Sequence, residues 1–174
     1  MLYLRQLTAE ENNRSGQHRA AYDALAWGLW QEYGIRHALL ERQDRGKPFL
    51  PVYPQVHVNV THCRFLAAAA VDAAPVGVDA ESVRPLRERV LGRACAREEQ
   101  DWVLSQPDPD YAFIRLWTAK ESYVKATGTG IGVPLQEITF TLTEESIRSR
   151  MDAKFTQLLL PEHVITICHK NGKG

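Results

Sequence analysis

Between the breaker run Pro107-Asp108-Pro109 and Gly128 lies a segment, about Tyr111–Thr127, whose apolar spacing is that of a helix needing cover. At 3.6 residues per turn, Phe113, Leu116, Trp117, Tyr123 and Val124 fall on one arc, which other elements must bury. Lys120 falls in the middle of that arc. An ammonium centred on an apolar stripe either snorkels to water or meets an anion already in place. Glu121 and Lys125 stand one turn apart on the same flank. Alone, such a pair is a surface ion pair of about 0.2–0.5 kcal/mol.

The rest of the chain alternates strands and helices. Residues 2–7 read as a short strand, and Asn12-Asn13-Arg14-Ser15 offers caps for a helix over about Gly16–Tyr33, stopped by Gly34. Its apolar positions are Ala20, Leu25, Trp27, Leu29 and Trp30. Ile35–Arg42 suits a strand and Asp44-Arg45-Gly46-Lys47-Pro48 a turn. Strands follow over about 56–60, 65–71 and 76–80, the last two joined by the hairpin-like turn Asp72-Ala73-Ala74-Pro75. Leu91, Ala94, Cys95 and Trp102 make one helical stripe. After the Lys-Glu helix, Gly128, Gly130 and Gly132 form a turn, followed by strands over Ile138–Leu142, about Lys154–Leu160 and Val164–His169. Those glycines follow a helix and lead to a strand, the reverse of a dinucleotide-binding fingerprint.

With 174 residues, 44% of them hydrophobic, the chain can form one compact unit or two small lobes sharing a core. Twenty-one basic and twenty-one acidic residues give zero formal charge, which argues against nucleic acid or an anionic membrane as partner. A local basic run remains, with Arg84, Arg87, Arg89, Arg93 and Arg97 crowded together. No apolar run approaches a membrane span, and the first residues lack signal-peptide architecture. Cys63, Cys95 and Cys168 show no Cys-x-x-Cys spacing and read as reduced thiols of a cytoplasmic protein.

Gly77-Val78-Asp79-Ala80-Glu81 puts two carboxylates on alternate residues, hence on one side of an extended segment. With Glu121 they make three carboxylates, and Lys120 and Lys125 add two cations. That set suits a divalent metal holding a phosphate ester. The alternating strand Val56, Val58, Val60 runs into a polar turn at Thr61-His62, and Arg45-Gly46-Lys47-Pro48 precedes it.

In order, Gly-Lys-Pro at 46–48, Asn-Val-Thr-His at 59–62, Gly-Val-Asp-Ala-Glu at 77–81 and Trp-Thr-Ala-Lys-Glu-Ser-Tyr-Val-Lys-Ala-Thr-Gly at 117–128 resemble the 4′-phosphopantetheinyl transferases. The likeness is greatest to the single-chain type that activates nonribosomal peptide and polyketide synthases, and runs from about Gln17 to about Phe140. It implies an α+β fold of two similar lobes related by pseudo-twofold symmetry, 1–75 and 76–174, with the active site between them. It implies transfer of the phosphopantetheine arm of coenzyme A to a serine of an acyl or peptidyl carrier protein, with release of 3′,5′-ADP. Asp79, Glu81 and Glu121 take the places of ligands to Mg²⁺, or Mn²⁺, and Glu121 also that of a base for the serine. Lys125 takes that of the pyrophosphate lysine, and Lys120 that of a second phosphate contact. Lys47 and His62 match positions that hold the 3′-phosphate of coenzyme A, which would raise the pKa of His62; Thr61 stands where the family usually has a serine, and Arg19 matches a basic position on the first helix near the nucleotide.

The family also has one acidic residue near Glu98 and Glu99, and the spacing from Cys95 favours Glu99. Two departures stand out. The segment before Gly16 is short and lacks the basic residues some relatives carry there, and Ala80 replaces a bulkier β-branched residue. The resemblance implies a monomer. Two other readings fit the carboxylate–lysine set: a metal-dependent phosphodiester hydrolase, and a non-catalytic protein that binds coenzyme A or a carrier.

Overall fold

The computed structural model describes residues 1–143 and 146–171, the Ile131 side chain excepted. Residues 172–174 of the expected second lobe lie outside that range. Antiparallel sheets and helices are mixed, in two assemblies built one after the other.

In the first, β1 (Leu2–Gln6), β4 (His57–Cys63) and β5 (Leu66–Asp72) form a sheet in the order β1-β5-β4, antiparallel throughout. Helix α1 (Arg14–Tyr33) lies on it, burying Leu25 and Leu29 against Val58, Ala69 and Val71. The helix starts where the Asn13 side chain accepts from the Gly16 N–H, 3.0 Å, and stops at Gly34, whose φ of 67° is the left-handed cap. Trp27 and Trp30 face outward, with Trp27 54% exposed.

In the second, β6 (Val76–Ser82), β9 (Ala153–Leu159) and β10 (His163–Lys170) form a sheet in the order β6-β10-β9. Helix α4 (Pro109–Thr127) covers it, started by the Asp108 side chain accepting from Tyr111 N–H and ended by Gly128 at φ 69°. Ile114, Leu116, Phe140 and Val164 are in its core.

The two sheets then pack together. Alternate residues of β5 explain how: Ala69 and Val71 face α1, while Leu66, Ala68 and Ala70 meet Val76, Val78, Ala80, Ile165 and Ile167 of the second sheet. A strand covered on both faces at close range needs small side chains, hence the alanine run. Side chains of β4 stitch the join: Asn59 Oδ1 accepts from Val78 N–H (2.9 Å) and Thr61 Oγ1 from Ala80 N–H (3.3 Å).

Four sequence expectations change. The turn at 72–75 is not a hairpin, because β1 and β4 already occupy both edges of β5, and β6 goes to the other sheet. Within 35–42 only β2 (Glu41–Arg42) is extended, paired with β3 (Pro48–Phe49); no strand lies beside 35–40 among the described residues, so no ladder forms there. The Cys95 stripe is two helices, α2 (Glu88–Ala94) and α3 (Arg97–Ser105), since Ala96 turns extended (ψ 164°) and its N–H donates to Glu99 Oε2. Finally, β7 (Phe140–Leu142) pairs with β8 (Ile147–Ser149), a strand that periodicity missed.

Candidate functional site

Gly77 decides how the site is assembled. On β6, Val76, Val78 and Ala80 point into the space between the sheets, so Gly77, Asp79 and Glu81 point towards α4. A Cβ at Gly77 would lie 2.1 Å from the Ser122 carbonyl oxygen and 2.4 Å from the Ala126 nitrogen. Only hydrogen fits, so strand and helix backbones touch, and the next two residues on that face meet Glu121 and Lys125.

A cavity of about 680 Å³ opens there, lined by Asp79, Glu81, Glu121 and Lys125 together with Thr61, His62 and Lys47. Lys125 Nζ donates to Asp79 Oδ1 at 2.6 Å and to Thr61 Oγ1 at 3.3 Å. The hydroxyl of Thr61 itself donates to Asp79 Oδ1, 3.4 Å. Asp79 is 5% exposed, and its Oδ2 has no hydrogen-bond partner among the described residues. Burial first raises the pKa of Asp79 against the pull of Lys125, and Glu81 raises it further. Burial, then the charges of Asp79 and Glu81, likewise raise that of Glu121. Glu81 turns to Arg84, 2.5 Å away.

Among the described residues no three Asp, Glu, His or Cys side chains stand close enough together to enclose a metal ion. The donor set nevertheless fits a hard cation. It comprises a buried carboxylate oxygen without a donor and two more carboxylates on the same cavity, two of the three with raised pKa.

Lys47 Nζ donates to the carbonyls of Ala126 (2.6 Å) and Val76 (3.3 Å), tying β3 to the end of α4 and the start of β6. Burial pulls its pKa down to about 8. His62 Nδ1 lies 3.2 Å from Gln17 Oε1. Burial, then His18, Lys125 and Arg14, lower its pKa.

Two expected residues are not brought to the cavity. Lys120 is 0% exposed and donates to Glu99 Oε2 (2.7 Å) and to the carbonyls of Leu135 (3.0 Å) and Ile138 (2.6 Å). All three of its N–H bonds are engaged, leaving none for a phosphate. The anion that the sequence required for Lys120 is Glu99, which also accepts from Phe140 N–H. Arg19 is exposed on α1 and lies outside the lining; His18 takes the cavity side instead.

The sequence reading did not single out Tyr22, Arg42, Arg45 and Trp117 as lining. Trp117 was recoverable, one turn before Glu121. The arginines were not, because only the tertiary fold turns their hairpin towards the cavity.

Residues 75–168 match the family model of the 4′-phosphopantetheinyl transferase superfamily, and those residues contain Asp79, Glu81, Glu121 and Lys125. The chain belongs to that superfamily. Among similar transferases, one from Bacillus pumilus is 35% identical over 131 residues, 74% of this chain and 53% of that protein. A 4′-phosphopantetheinyl transferase from Bacillus subtilis is 34% identical over 125 residues, covering 70% of this chain and 54% of its own. The transferase HetI of Nostoc is 37% identical over 109 residues, 58% of this chain and 46% of that protein. This superfamily member thus spans about half the length of these relatives. A holo-(acyl-carrier-protein) synthase of Bacillus anthracis has a TM-score of 0.48 at 16% identity, over 56% of this chain and 97% of that one.

Proposed function

We propose that this chain transfers the 4′-phosphopantetheine arm of coenzyme A to a serine of an apo carrier protein and releases 3′,5′-ADP. The observation that carries the reading is the meeting of Asp79, Glu81, Glu121 and Lys125 on one cavity, inside the segment that matches the superfamily. In the reaction the serine Oγ bonds to the phosphorus bearing the pantetheine arm, and the bond from that phosphorus to the ADP oxygen breaks. Asp79 Oδ2, Glu81 and Glu121 would hold the divalent cation, Mg²⁺ or Mn²⁺. When bound, it neutralises and orients the phosphate oxygens.

Glu121, on the cavity wall, takes the serine proton, directly or through water. Lys125, already donating to Asp79, reaches the departing phosphate and stabilises its charge. Lys47, with two N–H bonds on carbonyls, keeps one for a phosphate oxygen, and His62 and Thr61 complete that wall.

The same reading makes the two sheet-and-helix assemblies pseudo-twofold lobes, 1–75 and 76–174, of a cytoplasmic monomer. The repeated three-stranded sheet under a long helix supports the first point, and three buried free thiols agree with the second. No helix among the described residues is long and apolar enough to cross a membrane.

The decisive experiment incubates the protein with coenzyme A, Mg²⁺ and an apo carrier protein and weighs the carrier. A gain of one phosphopantetheine arm is expected. An unchanged carrier with hydrolysed coenzyme A would favour a phosphodiester hydrolase, and bound but intact coenzyme A a non-catalytic binder.

A further inference from the structure

The edge of β6 away from β10 has no strand paired with it among the described residues. A strand in an antiparallel pair turns its backbone bonds to alternate sides, and those of Val76, Val78 and Ala80 face this open edge. Side chains take the place of the missing strand. Lys47 Nζ donates to the Val76 carbonyl. On β4, Val58 and Val60 pack under α1, so Asn59 and Thr61 point the other way, to β6. Asn59 Oδ1 accepts from Val78 N–H, the only bond of that side chain among the described residues. Thr61 Oγ1 accepts from Ala80 N–H and does two things more.

It meets Lys125 Nζ at 3.3 Å and Asp79 Oδ1 at 3.4 Å. A backbone N–H and an ammonium can only donate, so they occupy both lone pairs of the hydroxyl, and its single hydrogen is left for Asp79. No bonding position of Thr61 remains for a phosphate oxygen. Asp79 Oδ1 thus receives two donors, Thr61 and Lys125, while Oδ2 receives none. The two donors differ in kind. Lys125 is a long side chain, 28% exposed, whereas Thr61 is 6% exposed and tied to the β6 backbone. A carboxylate turns broadly about its last torsion, and only a fixed donor on one oxygen decides where the other points.

We propose that Thr61 is a positioning residue: its hydroxyl anchors Asp79 Oδ1 to the edge of β6 and so presents Oδ2 to the cavity as a ligand for a divalent cation. The inference rests on the transferase reading and its cation site, and adds the residue that orients the buried ligand. It gives Thr61 a part in the cavity wall other than contact with coenzyme A.

Thr61→Val removes the hydroxyl and keeps the shape of the side chain. Titration with Mn²⁺, read by electron paramagnetic resonance of the free ion, tests the role without coenzyme A or a carrier protein. The Mn²⁺ dissociation constant should rise roughly tenfold in Thr61→Val. Turnover should fall through kcat more than through KM for coenzyme A. Calorimetric affinity for 3′,5′-ADP, measured without metal, should stay constant. Thr61→Ser, which keeps the hydroxyl, should restore most of the Mn²⁺ affinity. Thr61→Val also strands the Ala80 N–H, so its melting temperature should fall, and the titrations are run well below it. Asn59→Leu cuts the equivalent bond to Val78 N–H without touching Asp79; it should lower the melting temperature yet keep the Mn²⁺ affinity. Native Mn²⁺ affinity in Thr61→Val, an equal loss in Asn59→Leu, or weaker 3′,5′-ADP binding without metal overturns the positioning role and leaves the transferase reading standing. A wild type that binds no Mn²⁺ overturns the cation site on which both rest.

Discussion

Asp79 and Glu121 are held in an unfavourable state that a cation would relieve. Both carboxyls have raised pKa, first from burial and then from neighbouring carboxylates. Asp79→Asn or Glu121→Gln should therefore abolish transfer while leaving the melting temperature, measured without divalent cation, unchanged or higher. A fall in melting temperature with activity retained would contradict the assigned role. Lys120 answers to a different rule. Breaking a buried ion pair on one side strands the other charge, so Lys120→Met should destabilise the protein by about 3–5 kcal/mol in chemical denaturation. Adding Glu99→Gln removes the stranded charge, keeps an acceptor for one of the Ala96 and Phe140 N–H groups, and should recover part of that loss. Additive effects in this double-mutant cycle would mean that the pair is not coupled.

Contacts between elements set the geometry that the residues use. The approach of β6 to α4 depends on hydrogen at Gly77, because the first atoms an added Cβ meets are backbone. Gly77→Ala should push the strand from the helix, carry Asp79 and Glu81 with it, and lower both stability and transfer. A variant of native melting temperature and full rate would show that the strand shifts freely. Lys47 is the second tie, from β3 to α4 and β6. Its folded pKa, about 8, lies below the unfolded value of 10.5. Between those values the unfolded chain binds more protons, so this group makes stability rise with pH through that window; below about 8 its burial penalty is fully present. Lys47→Met should flatten that rise, read as denaturation midpoints from pH 7 to 10. An identical slope in the variant would assign it to other groups.

For the whole molecule, zero net charge leaves recognition of a partner to local patches. Arg84 is paired with Glu81 and Arg97 with Asp101, but Arg87, Arg89 and Arg93 are exposed on or beside α2, without salt bridges among the described residues. If carriers acidic around the serine dock there, Arg87→Glu/Arg93→Glu should slow carrier association and weaken its salt dependence while coenzyme A binding stays constant. Unaltered carrier kinetics across a salt titration would move the docking face elsewhere. Much of this architecture was legible in advance: α1 is written with caps at Asn13 and Gly34, α4 with its end at Gly128, and the spacing Gly77, Asp79, Glu81 is a local property of an extended chain. Periodicity also placed Lys120 among apolar residues, but not its partner. Choosing between a phosphate and Glu99 required knowing that α3 packs beside α4, a contact between residues twenty-one positions apart. The strand partner of β6, the outward turn of Arg19 and the reach of Arg45 to Thr129 were equally hidden. The sequence by itself determined α1 and α4, the glycines that end them and the chemical set of carboxylates and lysine, because these follow from local backbone preference and side-chain period. Only the tertiary structure decided which charges face the cavity and which lie buried against each other, since long-range packing fixes which side chains lose their water.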